Sequence, residues 1–171
     1  MDIPASLKAR LQPLRLISFD VDGVLTDGRI TYTDDGSETK SFHVRDGSAL
    51  KLLINSGFDL AILTGRSSPM VERRARELGI RHIHQGLDDK VPALLALASR
   101  LGLTRDNLAH VGDDLPDLPL FDHVGCAISV MNGHSAVQAR AHYVTRTPGG
   151  EGAVSEIAEL FLRARDEWPY A

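Results

Sequence analysis

Two hydrophobic rhythms alternate along the chain. Residues 14–21 form a short apolar run with little polar interruption, as a strand buried on both faces requires. Residues 58–64, 108–112 and 126–130 repeat that pattern, and 143–145 is a shorter version of it. Between these runs, apolar positions recur at helical spacing over 48–56, 69–78, 91–101, 116–122 and 153–165. Gly57, Gly79 and Gly102 stand just beyond three of the helical stretches, where a left-handed C-cap suits glycine. Strands alternating with helices predict βαβ units with right-handed crossovers. The expected fold is therefore α/β, a Rossmann-like parallel sheet flanked by helices.

One segment departs from the alternation. Residues 29–33 and 39–44 read as two short strands, with Asp34-Asp35-Gly36 as turn chemistry between them. A small β-hairpin flap over about 29–44 is expected, projecting over the C-terminal edge of the sheet, where open α/β folds bind ligands. No repeat, low-complexity tract or dividing linker interrupts the chain, so residues 1–171 are expected to form a single domain. The first dozen residues, with Pro4 and Pro13, read as an arm or a short helix.

Composition narrows the function classes. The chain has 171 residues, 43% hydrophobic and 25% charged, which suits a packed globular core. Every apolar run ends well short of the ~20 residues needed to cross a bilayer. No apolar run followed by a small-residue cleavage site opens the chain, so secretion is not expected. Cys126 is the lone cysteine, lies in an apolar run and reads as a buried thiol, and a cytoplasmic location fits. A net charge of −4 without a long basic run argues against nucleic-acid binding.

Four short motifs carry the candidate chemistry. Asp20 and Asp22 end the first strand run and lead into Gly23. Carboxylates placed there cost stability unless paired or bound to a cation, and strand alternation points both to one side. A hard cation such as Mg²⁺ takes oxygen ligands and accepts phosphate oxygens in its shell. One carboxylate can then attack phosphorus while the other handles a proton; the simpler alternative is a capped turn. Thr64-Gly65-Arg66 follows the second run and offers a hydroxyl and backbone N–H groups to a phosphate, or a helix cap. Lys90 opens a helical stretch and supplies a point charge suited to phosphate, unless it is simply a surface lysine. Asp113 and Asp114 end a further strand run, and Asp113 would complete a metal site with Asp20 and Asp22. Asp114 would hydrogen-bond within that site, and Asp117 would orient Lys90 or cap the next helix.

Acid pair, hydroxyl, lysine and acid pair, in this order on an α/β pattern, resemble the haloacid dehalogenase-like phosphotransferases over nearly the whole chain. The resemblance implies Asp20 as nucleophile and Asp22 as general acid and then base. It implies that Thr64 and Lys90 hold the phosphoryl group, and that Mg²⁺ is bound by Asp20, the Asp22 main-chain carbonyl and Asp113. The gaps from Asp22 to Thr64 and from Thr64 to Lys90 leave room for the hairpin, two helices and a strand, so no cap domain is expected.

Asp20 to Gly28, Phe42 to Gly47, Thr64 to Arg66, Gly112 to Asp117 and Tyr143 to Thr145 resemble the 3-deoxy-D-manno-octulosonate 8-phosphate phosphatases. That resemblance implies a homotetramer with active sites near subunit interfaces, acting in lipopolysaccharide precursor synthesis. It also implies substrate contacts by His43, Val44, Arg45, Asp46, Gly47, Lys51, Arg66 and Arg74, besides Asp22 and Lys90. For Arg74, in a charged run, ordinary surface charge is the alternative. Three positions depart from the family pattern: His43 stands where Asn is frequent, Lys51 where Arg is frequent, and Glu151 where a basic residue is frequent. The family's glycine-rich tail can fold toward an active site, where the Glu151 carboxylate would repel an anionic substrate. The rivals are a phosphatase of another acidic sugar phosphate, such as a nonulosonate 9-phosphate, a receiver-like signalling domain, and a non-catalytic scaffold. A receiver needs an acceptor Asp after residues 81–84, where Gln85 stands.

Overall fold

A computed structural model describes residues 2–170. Helix α1 (Ala5–Leu11) precedes strand β1 (Leu16–Phe19), and a hairpin of β2 (Thr31–Tyr32) and β3 (Glu38–Thr39) follows. Then come α2 (Val44–Asn55), β4 (Asp59–Leu63), α3 (Pro69–Leu78), β5 (His82–His84) and α4 (Val91–Leu101). The second half holds β6 (Leu108–Gly112), α5 (Leu118–Phe121), β7 (Cys126–Ser129), α6 (Ser135–Gln138), β8 (Tyr143–Val144) and α7 (Ala153–Ala164).

The main sheet has six strands in the order β5-β4-β1-β6-β7-β8, all parallel. From β1 the chain runs outward to β5, then returns to place β6 against the other side of β1. The strand order reverses there, which is where open α/β sheets leave a crevice at the strand ends. Side chains alternate across the sheet. Ile17 and Phe19 face a core built with α1, α2, α3 and α7, whereas Leu16 faces a second core built with α4, α5 and α6. No cap domain interrupts the described residues: only the hairpin and α2 lie between β1 and β4, and only α3 between β4 and β5.

The hairpin is shorter than the alternation predicts. Its paired strands are two residues each, and the segment expected to end as strand at residue 44 is already helix there. The reason is the His43 ring, whose Nδ1 accepts the Arg45 N–H at 3.2 Å and caps α2 four residues before the expected start. Residues 116–122 split into a single 3₁₀ turn at Leu115–Asp117 and the short α5. The opening residues form a helix rather than an arm, α1.

Candidate active site

Every expected catalytic residue follows the C-terminal end of a central strand or immediately precedes a helix. Asp20 directly follows β1, and its N–H donates to the Val111 carbonyl at 2.9 Å, carrying the strand pairing into the loop. Thr64 follows β4 and is buried. Its N–H is taken by the His84 carbonyl, and the helix cap of α3 is Ser68, so Thr64 caps nothing. Asp113 follows β6. Lys90 precedes α4 without capping it and is buried, which removes the surface-lysine alternative. These residues line one cavity of about 540 Å³ together with Asp22, Gly65, Arg66, Asp114 and Asp117.

Lys90 is clamped between two carboxylates, with Nζ 2.9 Å from Asp20 Oδ1 and 2.6 Å from Asp117 Oδ1. An ammonium has three donors, so one is left for the cavity. Burial works against the lysine charge, but Asp20 and Asp117 outweigh it and raise its pKa. Of the two expectations for Asp117, the structure shows the contact with Lys90 but no side-chain cap on α5. Its Oδ2 accepts the Asp113 and Asp114 N–H groups at 3.1 and 3.3 Å, boxing the 3₁₀ turn. Burial opposes its charge, but His110 and then Lys90 hold Asp117 well below the carboxylate range. Asp114 turns outward to cap that same turn, its Oδ1 accepting the Leu115 N–H at 2.8 Å.

The acidic cluster fits a divalent cation. Carboxylate oxygens of Asp20, Asp113 and Asp117 lie within 4.8 Å of one another. Asp117 is already committed to four donors. Asp113 is the reverse: its Oδ1 is buried without a partner. Burial, then the Asp20, Asp117 and Asp114 carboxylates, push Asp113 up to about 7. Burial and then Asp117 also raise Asp20, with Lys90 pulling against them. A buried group of like charges with an orphaned oxygen is what a hard cation relieves. Gly23 lets Asp113 come close, since a Cβ there would overlap the Asp113 carboxylate, and its φ of +100° is one that L side chains avoid.

The hairpin supplies two side chains that motif spacing missed. The Lys40 side chain is almost fully buried and pairs with the Asp22 carboxylate and with Glu38 at 2.9 Å. Glu38 also takes Arg66 at 2.6 Å, and Arg66 Nε lies 3.9 Å from Asp22. Glu38 and Lys40 are two apart, so one face of an extended strand carries both; that alternation was the signal available.

The other expected substrate contacts lie elsewhere in the chain. His43, Asp46, Gly47 and Arg74 line a small recess between α2 and α3. There the Arg74 guanidinium crowds Gly47 and also pairs with Glu77 at 3.5 Å. Val44 and Arg45 line a groove with Trp168 and Tyr170. Lys51 is exposed on α2. Of the cationic candidates beyond Lys90, the catalytic cavity takes only Arg66. The glycine-rich segment does not reach into this cavity. Gly150 donates to the Val24 carbonyl at 3.0 Å, so the segment packs behind the loop that carries Asp20 and Asp22, and α7 follows. Glu151 is exposed, and its carbonyl accepts from Arg45 at 3.4 Å.

Comparison with known proteins places this arrangement. The family model for haloacid dehalogenase-like hydrolases matches residues 82–157. The chain is 42% identical over 163 residues to 3-deoxy-D-manno-octulosonate 8-phosphate phosphatase of Escherichia coli strain B, covering 95% of this chain and 87% of that protein. The chain belongs to this phosphatase family of haloacid dehalogenase-like hydrolases. The Moraxella catarrhalis phosphatase, solved with magnesium, phosphate and KDO, superposes with a TM-score of 0.90 at 50% identity, over 92% of this chain and 90% of that one. The cobalt-bound phosphatase of Haemophilus influenzae superposes with a TM-score of 0.88 at 38% identity, over 92% of each chain. Family membership sets aside the receiver and scaffold readings. Gln85, in the receiver's acceptor slot, instead accepts the Ser68 N–H at 2.8 Å. No helix among the described residues is long and apolar enough to cross a membrane.

Proposed function

We propose that this chain is a Mg²⁺-dependent phosphatase that releases phosphate from 3-deoxy-D-manno-octulosonate 8-phosphate through a phospho-aspartate on Asp20. The observation that carries the reading is the convergence of Asp20, Lys90 and the orphaned Asp113 oxygen in one cavity. Asp20 and Asp113 would hold Mg²⁺, with the Asp22 main-chain carbonyl as the family resemblance implies. The ion, when bound, supplies positive charge beside the transferring phosphoryl group.

The chain's own residues do the rest. An Asp20 carboxylate oxygen attacks phosphorus as the ester P–O bond breaks, and Asp22 gives its proton to the departing sugar oxygen. Asp22 then takes a proton from water, which attacks the phospho-aspartate and frees inorganic phosphate and Asp20. The free donor of Lys90 and the Thr64 hydroxyl hold the phosphoryl oxygens, where charge spreads in the transition state. Arg66, which lines the cavity, would meet a second anionic group of the substrate.

A homotetramer is part of this reading. His43 to Gly47, Lys51 and Arg74 stand apart from the protomer's own cavity and would contribute through a neighbouring subunit. A single domain over residues 1–171, a cytoplasmic location and a role in lipopolysaccharide precursor synthesis complete the reading and rest on the family resemblance. Phosphate release should be measured on the eight-carbon and a nine-carbon sugar-acid phosphate, with and without Mg²⁺. Preference for the eight-carbon ester, loss on chelation and loss of turnover in a folded Asp20→Asn variant are expected. Preference for the nine-carbon ester would overturn the substrate, and activity in Asp20→Asn would overturn the covalent step.

A further inference from the structure

Behind the cavity, hydrogen bonds run from Lys90 and Asp117 into the core, to His110 and Ser18, which the reaction above does not use. His110 lies on β6 and is fully buried. Its Nε2 is 3.0 Å from Asp117 Oδ1, and its Nδ1 is 2.8 Å from Ser18 Oγ on β1. The same Asp117 oxygen receives Lys90, and Lys90 reaches Asp20. Ser18, His110, Asp117, Lys90 and Asp20 thus form one continuous line from the core to the nucleophile.

The donors along that line are fixed by chemistry. An ionised carboxylate only accepts, so the hydrogen facing Asp117 belongs to His110 Nε2. The Ser18 hydroxyl can serve either state of the other nitrogen. It donates to a neutral ring, or it accepts from a charged ring and turns its hydrogen to the Ala109 carbonyl, 3.1 Å away. A buried polar ring costs stability unless both nitrogens are paired, and here both are. An aliphatic residue would fill this strand position without any partner, as Leu108 and Val111 do on the same strand. What the imidazole adds is a second donor on the oxygen that anchors Lys90.

We propose that His110 is a positioning residue for phosphoryl transfer, acting through Asp117 to fix the Lys90 ammonium so that its free donor points at the phosphate. Without the Nε2 hydrogen, Asp117 Oδ1 has Lys90 as its one donor, and the lysine is drawn toward it and away from the phosphoryl group. The proposal rests on reading the cavity as a phosphoryl-transfer site but not on the identity of the sugar.

The test uses two amides in the same buried slot. His110→Gln extends far enough to place an N–H near the former Nε2, while His110→Asn stops near the former Nδ1. Each full-length protein is assayed on p-nitrophenyl phosphate with Mg²⁺, and inorganic phosphate binding is measured by calorimetry. The Asn variant is expected to lose about tenfold in kcat/KM and in phosphate affinity, as removal of a supporting partner does. The Gln variant should stay within about threefold of the parent. Should the Asn variant not fold, His110→Phe replaces it with the same expected loss, since a ring there keeps the edge contact with Phe121, at 6.2 Å between centroids. Equal losses in Gln and Asn, or equal phosphate affinity in all proteins, would overturn the proposal. Turnover of p-nitrophenyl phosphate without turnover of the sugar ester would remove the substrate reading and leave this one standing.

Discussion

Gly23 lacks a side chain at the point where Asp113 comes closest to the nucleophile loop. Its φ of +100° and the overlap a Cβ would make with the Asp113 carboxylate are separate obstacles to any other residue. Holding a non-glycine residue in such a conformation costs about 1–3 kcal/mol. In a chain of this size each kcal/mol lowers Tm by roughly 2–4 °C. Gly23→Ala should therefore melt several degrees lower and, because the Cβ displaces Asp113, lose Mg²⁺-dependent activity out of proportion to the lost stability. A Gly23→Ala protein with parental Mg²⁺ dependence would show that Asp113 has room to spare. Asp20, Asp22 and Asp113 are legible in the sequence because carboxylates at the ends of apolar strands violate burial rules and so announce themselves. His110 is not, because a single histidine in an apolar run looks the same whether it is packed or partnered. Lys40 is not, because its partner Asp22 is brought near only when the hairpin folds back.

Elements show the same division. The run pattern locates five of the six parallel strands and the long helices, since each must bury a continuous face, but β5, whose His-Ile-His is only half-buried, carries no apolar run. It misplaces the start of α2, because a histidine cap is a local side-chain bond that periodicity does not contain. It is also silent on how the segment between β8 and α7 is held. There Glu156, on the first turns of α7, accepts the Arg146 and Thr147 N–H groups at 2.9 and 3.0 Å. It also accepts the Tyr143 and Thr147 hydroxyls, each at 2.7 Å. This clamp sets the course of the chain into Gly149 and Gly150, which pack against the loop that carries Asp20 and Asp22. Burial disfavours the Glu156 charge, but the Arg146 N–H and the other donors outweigh it and hold the carboxyl below its ordinary 4.5. A folded pKa lowered in this way gives stability that is fully present above the unfolded value and is lost as pH falls through the folded one. Tm measured from pH 7 to 3 should thus fall below about pH 4.5 less steeply in Glu156→Gln than in the parent, with the variant already less stable at pH 7. Parallel curves would mean that the clamp carries no charge-dependent stability.

The whole molecule poses a question of completeness. One chain gathers Asp20, Asp22, Thr64, Lys90, Asp113 and Asp117 into one cavity. Two of the cationic candidates for a second anionic group lie elsewhere: Arg45 and Lys51 sit exposed on α2, outside that cavity. The edges of the hairpin are also bare, with Ile30 and Tyr32 among the exposed large apolar residues. A two-stranded ribbon with apolar side chains in water is marginal by itself and gains from being covered. If neighbouring copies cover the hairpin and lend Arg45 to one another's cavities, catalysis and specificity are supplied by different chains. Two individually weak variants should then complement. Asp20→Asn lacks the nucleophile but keeps Arg45, while Arg45→Ala keeps the nucleophile but lacks the guanidinium. Subunits mixed after mild dissociation should form hybrid assemblies in which some cavities combine an intact Asp20 with a neighbour's intact Arg45, and turnover of the sugar ester at low concentration should exceed the sum of the two separate variants. Sedimentation should show a species larger than one chain at assay concentration. A monomeric, fully active parent, or mixing that adds nothing, would place the specificity residues within the protomer and leave Arg66 as the cation that meets the substrate's second charge.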